Sequence, residues 1–245
     1  MIEVEWQVAS DPTPMYLFIQ SNSSDRKLQL FGCACCYRWR QEIYYKETEA
    51  LLEVVERFAD GKATTEQVNS IDMASAMAHA GLHWGNSGAL ADPAIRSLWP
   101  KLQLDKVMKN TDALAAQLSL RRAAEKSSRE RSYRFWKRGP KMSAEEFESA
   151  RCSGIAAERK THCDLLRCIF GNPFRPITLN PSWLTSTVLA LAQQMYESRD
   201  FSPMPILADA LQDAACDNDE ILNHCRHPGV HVRGCWCVDL LLDKK

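Results

Sequence analysis

A glycine followed by a run of prolines is the feature that most restricts how this chain folds. Pro173, Pro176 and Pro181 come within ten residues after Gly171. Proline fixes φ, lacks a backbone donor and disfavours helical geometry at the residue before it. The pattern therefore predicts a helix that stops at Gly171 and an extended, proline-punctuated crossing after it.

Helical spacing of apolar residues returns after this crossing. Val188, Leu191 and Met195 share one face of a predicted helix over 184–198. Ser202 is the predicted cap of the next helix, and Asp217 with Glu220 is the predicted cap of the one after it. A last helix is expected over 232–242. These elements predict a compact C-terminal helical unit.

The same periodicity fills the chain before the crossing. It predicts helices over about 12–20, 25–45, 47–59, 105–135 and 143–170, another helix that begins at Thr64, and a short one near Pro93. Thr64 with Gln67 and Ser143 with Glu146 have the spacing of capping boxes. No convincing alternation with a period of two residues indicates a strand. The predicted fold is all-α, a multi-helix bundle of about ten helices.

Gly139-Pro140 is the clearest break in the middle of the chain. It divides the chain into a predicted N-terminal helical region, 1–138, and a C-terminal helical region, 139–245. We expect the second region to pack on the first as one continuous globular unit.

Composition excludes several classes of protein. The 245 residues carry a formal net charge of −1, so the whole surface is not committed to a polyanion. No apolar run reaches the roughly 18 residues of a membrane span. The first residues, MIEVEWQVASD, lack the basic and apolar segments of a signal peptide. We therefore expect a cytoplasmic protein with no membrane partner.

Cysteine and histidine are concentrated near the C-terminus. Seven of them fall within 22 residues: Cys216, His224, Cys225, His227, His231, Cys235 and Cys237. Zinc takes four tetrahedral nitrogen or sulfur ligands, and two histidine-containing pairs here have suitable separations. The spacings match no standard finger, however, and Cys225 and Cys235 fall at apolar helix positions. Packed thiols with surface histidines are favoured and zinc stays open, so we assign no metal ligand and no cofactor.

Three other patterns are weaker. His79 and His83 share a helix face but lack the glutamate of an HExxH site. The loop 85–88 only faintly resembles the surroundings of a serine nucleophile, since an all-α chain has no strand to strain it. Cys33 to Cys36 lies inside an apolar helix, which favours buried thiols over reactive ones. We assign no catalytic residue.

The strongest compositional anomaly is a basic segment, 121–141, with aromatic residues between its cations. Arginines neutralise phosphates and aromatic rings stack on bases, so this composition suits single-stranded nucleic acid. It suits an acidic protein surface equally well, and a solvated helix end is the plain alternative. The candidate partner-binding residues are Arg121, Arg122, Lys126, Arg129, Arg131, Arg134, Trp136, Lys137 and Arg138.

Several motifs at both ends of the chain resemble an uncharacterised family of bacterial all-helical proteins. They are LLRCIFGNPFRP (165–176), PILADALQDAAC (205–216), HVRGCWCVDLLL (231–242), DPTPMYLFIQ (11–20), SDRKLQLFGCACCYR (24–38) and ERFADGKAT (56–64). The resemblance implies an all-helical fold and carries over no catalytic residue. It also implies a link to small accessory proteins of type III-E CRISPR loci, which encode a protease-linked RNA-guided effector. Between 120 and 142 the chain is more basic than the family pattern.

These observations favour a non-catalytic helical adaptor that binds another protein, in a defence or transcription-regulatory assembly. A nucleic-acid-binding regulator that uses the basic segment is the alternative. A metal-dependent enzyme built on the C-terminal histidines is the least favoured interpretation.

Overall fold

The protein is described by a computed structural model. The model describes the backbone of residues 1–43, 46–80, 91–99, 102–132 and 143–244, and the side chains of these except at 76–80, 91–92 and 124–132. Its α-helices are α1 (Glu3–Val8), α2 (Pro12–Ile19), α3 (Asp25–Tyr37), α4 (Lys46–Ala59), α5 (Thr65–Ala80), α6 (Ala91–Arg96), α7 (Leu104–Ser132), α8 (Ala144–Phe170), α9 (Ser186–Ser198), α10 (Met204–Asp213), α11 (Asp219–Arg226) and α12 (Trp236–Leu241).

The predicted all-α class is confirmed, since no strand occurs among the described residues. Two short 3-10 helices, Arg40–Glu42 and Pro181–Trp183, complete the regular structure of these ranges. None of the described helices combines the length and the apolar character that crossing a bilayer requires.

Contacts between residues group the chain into two compact units. The terminal unit combines Met1–Ala34 with Cys163–Lys245, and the central unit is Cys35–His162. These boundaries fall inside α3 and α8 and not at residue 139. Gly139 itself lies outside the described residues, so the division into 1–138 and 139–245 stays a prediction.

Two capping boxes predicted from the sequence form at the expected helix starts. Thr64 Oγ1 accepts from the backbone N–H of Gln67 at 3.3 Å, and Gln67 Oε1 accepts from the N–H of Thr64 at 2.9 Å. Ser143 and Glu146 form the same reciprocal pair before α8. Both predicted capping boxes are therefore confirmed.

The end of α8 and the crossing also follow the prediction. Gly171 has φ +64°, a left-handed conformation that glycine adopts without steric cost. A Cβ at this position would lie 3.0 Å from Cγ of Trp236, so the close approach of that ring also favours glycine. No helix forms in the described chain between Phe170 and Pro181.

The terminal unit is built around an apolar core supplied mostly by α9 to α12. Thr185 caps α9 by accepting from the N–H of Val188, and Asn218 caps α11 by accepting from Ile221. The cap of α11 is thus Asn218 and not the predicted Asp217. The buried core includes Trp183, Val188, Ala192, Met195, Tyr196, Leu207, Leu211, Ile221, Val238 and Leu241.

The first helix, α1, is held to the end of α8 by polar contacts. Arg167 donates to the carbonyl oxygens of Trp6, at 3.0 Å, and of Ala9, at 2.7 Å. Trp6 is buried, and its indole N–H donates to the carbonyl of Gly171 at 3.0 Å. These bonds place α1 and α2 beside the start of the crossing.

Candidate functional site

Two cysteines and two histidines meet in the terminal unit. Cys168 lies in the last turn of α8, His224 on α11, His231 in the loop after α11, and Cys235 at the position that caps α12. One nitrogen or sulfur atom from each lies within 4.8 Å of the other three. Both cysteines are buried and both histidines are half-buried. Four segments of the terminal unit thus supply one compact donor set, which we call the Cys/His cluster.

Contacts within the cluster centre on Cys235. Nε2 of His224 lies 3.1 Å from Cys235 Sγ. The rings of His224 and His231 are nearly perpendicular, with centroids 4.8 Å apart. Nε2 of His231 lies 3.3 Å from the carbonyl oxygen of His227, whereas Nδ1 of His231 is buried and has no hydrogen-bond partner.

The two cysteines of the cluster have pKa values shifted in opposite directions. Burial raises the pKa of this thiol, but the hydrogen bond from Cys168 and the contacts with the two imidazoles bring the pKa well below its usual range. The pKa of Cys168 is raised well above its usual range by its hydrogen bond to Cys235 and by burial. Cys235 is therefore the sulfur of this pair that loses its proton more readily.

Backbone geometry explains how Cys235 reaches this position. Gly234 has φ +90°, and a Cβ there would lie 3.0 Å from the Leu30 side chain. Glycine thus permits both the left-handed backbone and the close packing against α3. The N–H of Cys235 then donates to the carbonyl of Val232 at 2.9 Å, which closes the turn before α12.

Only part of this cluster was within reach of sequence reasoning. His224, His231 and Cys235 belong to the predicted C-terminal group, whereas Cys168 comes from α8 and was missed. Cys216 and Cys225 are buried outside the cluster, and Cys225 Sγ instead lies 3.5 Å from Cys237 Sγ. The spacing of Cys168 from the others carries no ligand signature, so only tertiary structure could reveal it.

The other sequence-predicted sites are only partly described. Arg121 and Arg122 are exposed on α7. The side chains of Lys126, Arg129 and Arg131 lie outside the described part, as do Arg134, Trp136, Lys137 and Arg138 as a whole. The His79 side chain, His83 and the loop 85–88 also lie outside it. Cys33, Cys35 and Cys36 are buried, which confirms the expectation for that helix.

An apolar groove lies between α1 and α2. This open groove has a volume of about 700 Å³ and is lined by Met1, Glu5, Val8, Ala9, Ser10, Asp11, Pro14, Leu17 and Phe18. Val8 is 73% exposed and Leu17 is 56% exposed. Ile2, just before α1, and Val4, on α1, are also exposed but do not line the groove. Large apolar side chains clustered on a surface mark a site of association.

The carboxylates of the groove already have structural roles. Glu5 Oε2 accepts from the N–H of Ile2 at 2.8 Å, and Asp11 Oδ1 accepts from the N–H of Thr13 at 3.0 Å. Each therefore caps the start of a helix. The groove thus offers apolar walls with two fixed negative charges.

A buried polar network lies within the central unit. Glu158, which is 2% exposed, accepts from Arg38 and from the indole N–H of Trp39. Nε2 of His162 lies 3.1 Å from Glu158 Oε1 and 3.0 Å from Thr111 Oγ1. Burial lowers the pKa of His162, but contacts with Cys35 and Glu158 outweigh it and raise the pKa to about 10. The network therefore holds an imidazolium against a carboxylate.

No protein-family model matches the sequence, and neither the curated proteins nor the solved structures give a match.

Proposed function

We propose that this protein is a non-catalytic helical adaptor that binds another protein through the groove between α1 and α2. The observation that carries the proposal is the exposure of two large aliphatic side chains, Val8 and Leu17, in the wall of this groove. Exposing such side chains costs free energy that only a covering surface recovers.

The charge of the groove defines the chemistry of the partner. Glu5 and Asp11 lie among apolar walls, so a complementary segment carries apolar side chains flanked by lysine or arginine. An amphipathic helix meets both requirements, because its apolar face fits a groove of this kind. Placement of the complex in a CRISPR-linked defence or regulatory assembly rests on the family resemblance alone.

Replacing Val8 or Leu17 by aspartate is expected to abolish partner recovery. Each change places an unpaired carboxylate in the buried contact and removes apolar area worth roughly 1.5–3 kcal/mol, so affinity should fall at least about tenfold. Wild-type and variant proteins are immobilised in native lysate, and stoichiometric partners are quantified by mass spectrometry.

Ile206→Asp is the matched control, because Ile206 is 58% exposed on α10 and lies outside the groove. It should retain the partner at the wild-type level. Recovery of no stoichiometric partner, or equal recovery by Leu17→Asp, contradicts the proposal. Thermal melting of each variant excludes loss of fold as the cause.

The second candidate function is polyanion binding by the basic segment, and the exposure of Arg121 and Arg122 on α7 favours it. The double change R121E/R122E is expected to shorten retention on heparin and to weaken mobility shifts with single-stranded DNA and RNA. Each lost phosphate contact should reduce the salt dependence of binding by about 0.7 in log–log slope.

K106E/K109E provides the control for this experiment. Lys106 and Lys109 are also exposed on α7, so the double change alters the charge equally on the same helix. Equal effects of the two double variants mean that only net charge matters and that Arg121 and Arg122 form no site.

A further inference from the structure

We propose that Cys168, His224, His231 and Cys235 form a structural Zn²⁺ site. The donor set is the first reason. Two thiols and two imidazoles are the ligands of tetrahedral S₂N₂ zinc centres, and this combination favours zinc over the hard cations that prefer oxygen. The proposal concerns the terminal unit and is independent of the groove.

The separations fit the size of a zinc tetrahedron. Zinc bonds of about 2.3 Å to sulfur and 2.0–2.1 Å to nitrogen give ligand–ligand edges of about 3.3–3.8 Å. All four donor atoms already lie within 4.8 Å of one another, and His224 Nε2 lies 3.1 Å from Cys235 Sγ. Small side-chain rotations therefore suffice to reach the metal-bound geometry.

The surroundings of His231 supply an independent reason. A zinc-bound histidine usually donates its other ring N–H to a carbonyl, which fixes the tautomer. Nε2 of His231 has such a partner, the carbonyl of His227 at 3.3 Å. Its Nδ1 is buried without a hydrogen-bond partner, so this tautomer leaves a lone pair that a metal ion would satisfy.

The terminal unit contains a second pair of thiols, which pack against each other and serve as a comparison for the Cys/His cluster. Cys225 and Cys237 are fully buried with their sulfurs 3.5 Å apart, and neither belongs to the donor set. The Cys/His cluster differs because two half-buried imidazoles converge on its sulfurs. Packing of small apolar side chains does not account for that convergence.

All four ligands come from the protein, so the proposed site is closed and structural. It would connect the end of α8, helix α11, the loop at His231 and the start of α12. These segments are distant in sequence, and one ion would hold them in a single arrangement.

The first measurement is the metal content of the full-length protein, purified under reducing conditions without chelator. About one zinc per chain is expected by inductively coupled plasma mass spectrometry. Cys168→Ala and His231→Asn should each lower this content at least tenfold. Cys225→Ala and Cys237→Ala are the matched controls, because each removes a buried thiol that lies outside the donor set, and they should retain the zinc.

A second measurement does not depend on the variants folding. Chelator treatment of the wild-type protein should lower its Tm by at least about 5 °C, and added Zn²⁺ should restore it. Refilling with Co²⁺ should give visible ligand-field bands and near-ultraviolet thiolate charge-transfer bands of a tetrahedral sulfur-containing site.

Three results would overturn the proposal. One is a wild-type protein that contains no zinc and takes up neither Zn²⁺ nor Co²⁺ after reduction. Another is a disulfide between Cys168 and Cys235 that persists in protein purified under reducing conditions. The third is equal zinc loss in the folded control variants and in the folded ligand variants, which places the ion elsewhere.

Discussion

Replacing Arg26 by methionine is expected to lower the free energy of unfolding by about 3–5 kcal/mol. Arg26 forms a bidentate pair with Asp239, at 2.7 and 3.1 Å, and donates to the hydroxyl of Tyr196 at 2.8 Å. The Asp239 side chain is 1% exposed. Methionine keeps much of the side-chain volume but leaves a buried carboxylate without its cation. Urea denaturation followed by circular dichroism measures the loss.

Two further variants separate charge from packing in this pair. R26M/D239N should recover a substantial part of the loss, because asparagine removes the stranded charge at nearly constant volume. Arg175→Met breaks an ion pair between Arg175 and Glu3 in which the arginine side chain is 62% exposed. This change should lower the free energy of unfolding by less than about 1 kcal/mol. A loss below about 1 kcal/mol for Arg26→Met, or no recovery in the double variant, contradicts this account.

Replacing His162 by glutamine is expected to lower stability by about 3 kcal/mol at pH 7 and by much less at pH 10. The fold raises the pKa of His162 from its ordinary value of 6.5 to about 10. A raised pKa means that the folded state holds the proton more tightly than the unfolded chain. The contribution is therefore fully present below pH 6.5 and is lost as the pH rises to about 10.

The groups that face this imidazole come from three helices. Glu158 lies on α8, the helix that also carries His162. Asp112 lies on α7, and its Oδ1 is 3.9 Å from His162 Nδ1. Cys35, on α3, also helps to raise the pKa of His162. Urea denaturation at several pH values between 6 and 10 should show wild-type stability falling across this window and a flatter profile for His162→Gln.

Thr111→Val is the matched control for this pH dependence. It removes the hydroxyl that lies 3.0 Å from Nε2 of His162 but retains every charge. It should lower stability at all pH values and keep the wild-type slope. Identical slopes for the wild-type protein and His162→Gln would show that His162 does not supply the pH dependence.

Sequence reasoning succeeded where the determinants of structure are local. The boxes at Thr64 and Ser143 and the stop at Gly171 each depend on a few neighbouring residues, so the sequence reveals them directly. Helix α1 was missed because it spans only six residues and begins after Ile2, which has no side-chain oxygen to cap a helix. Asn218 caps α11, whereas the prediction was Asp217. The predicted helix start was therefore one residue too early, because aspartate and asparagine both cap helices well.

The candidate sites depended on contacts that no spacing encodes. Cys168 reaches Cys235 only because the crossing returns α9 to α12 to the end of α8. His162 likewise contacts Cys35, which is far away in the sequence, as well as Glu158, which lies one turn earlier on the same helix. Burial of the exposed groove residues Val8 and Leu17 would have been the ordinary expectation for apolar side chains, and only the coordinates reveal their exposure.

The discontinuous make-up of the terminal unit sets an order for its assembly on the ribosome. Residues 1–34 are synthesised before residues 35–162 but pack against residues from 163 onward, whereas residues 35–162 form a unit from one continuous stretch. At a synthesis rate of roughly 5–20 residues per second, residues from 163 onward are made on the order of ten seconds after residues 1–34. During that interval the apolar side chains of residues 1–34, Trp6 and Met15 among them, are available to a chaperone. The central unit can therefore fold before the terminal unit does.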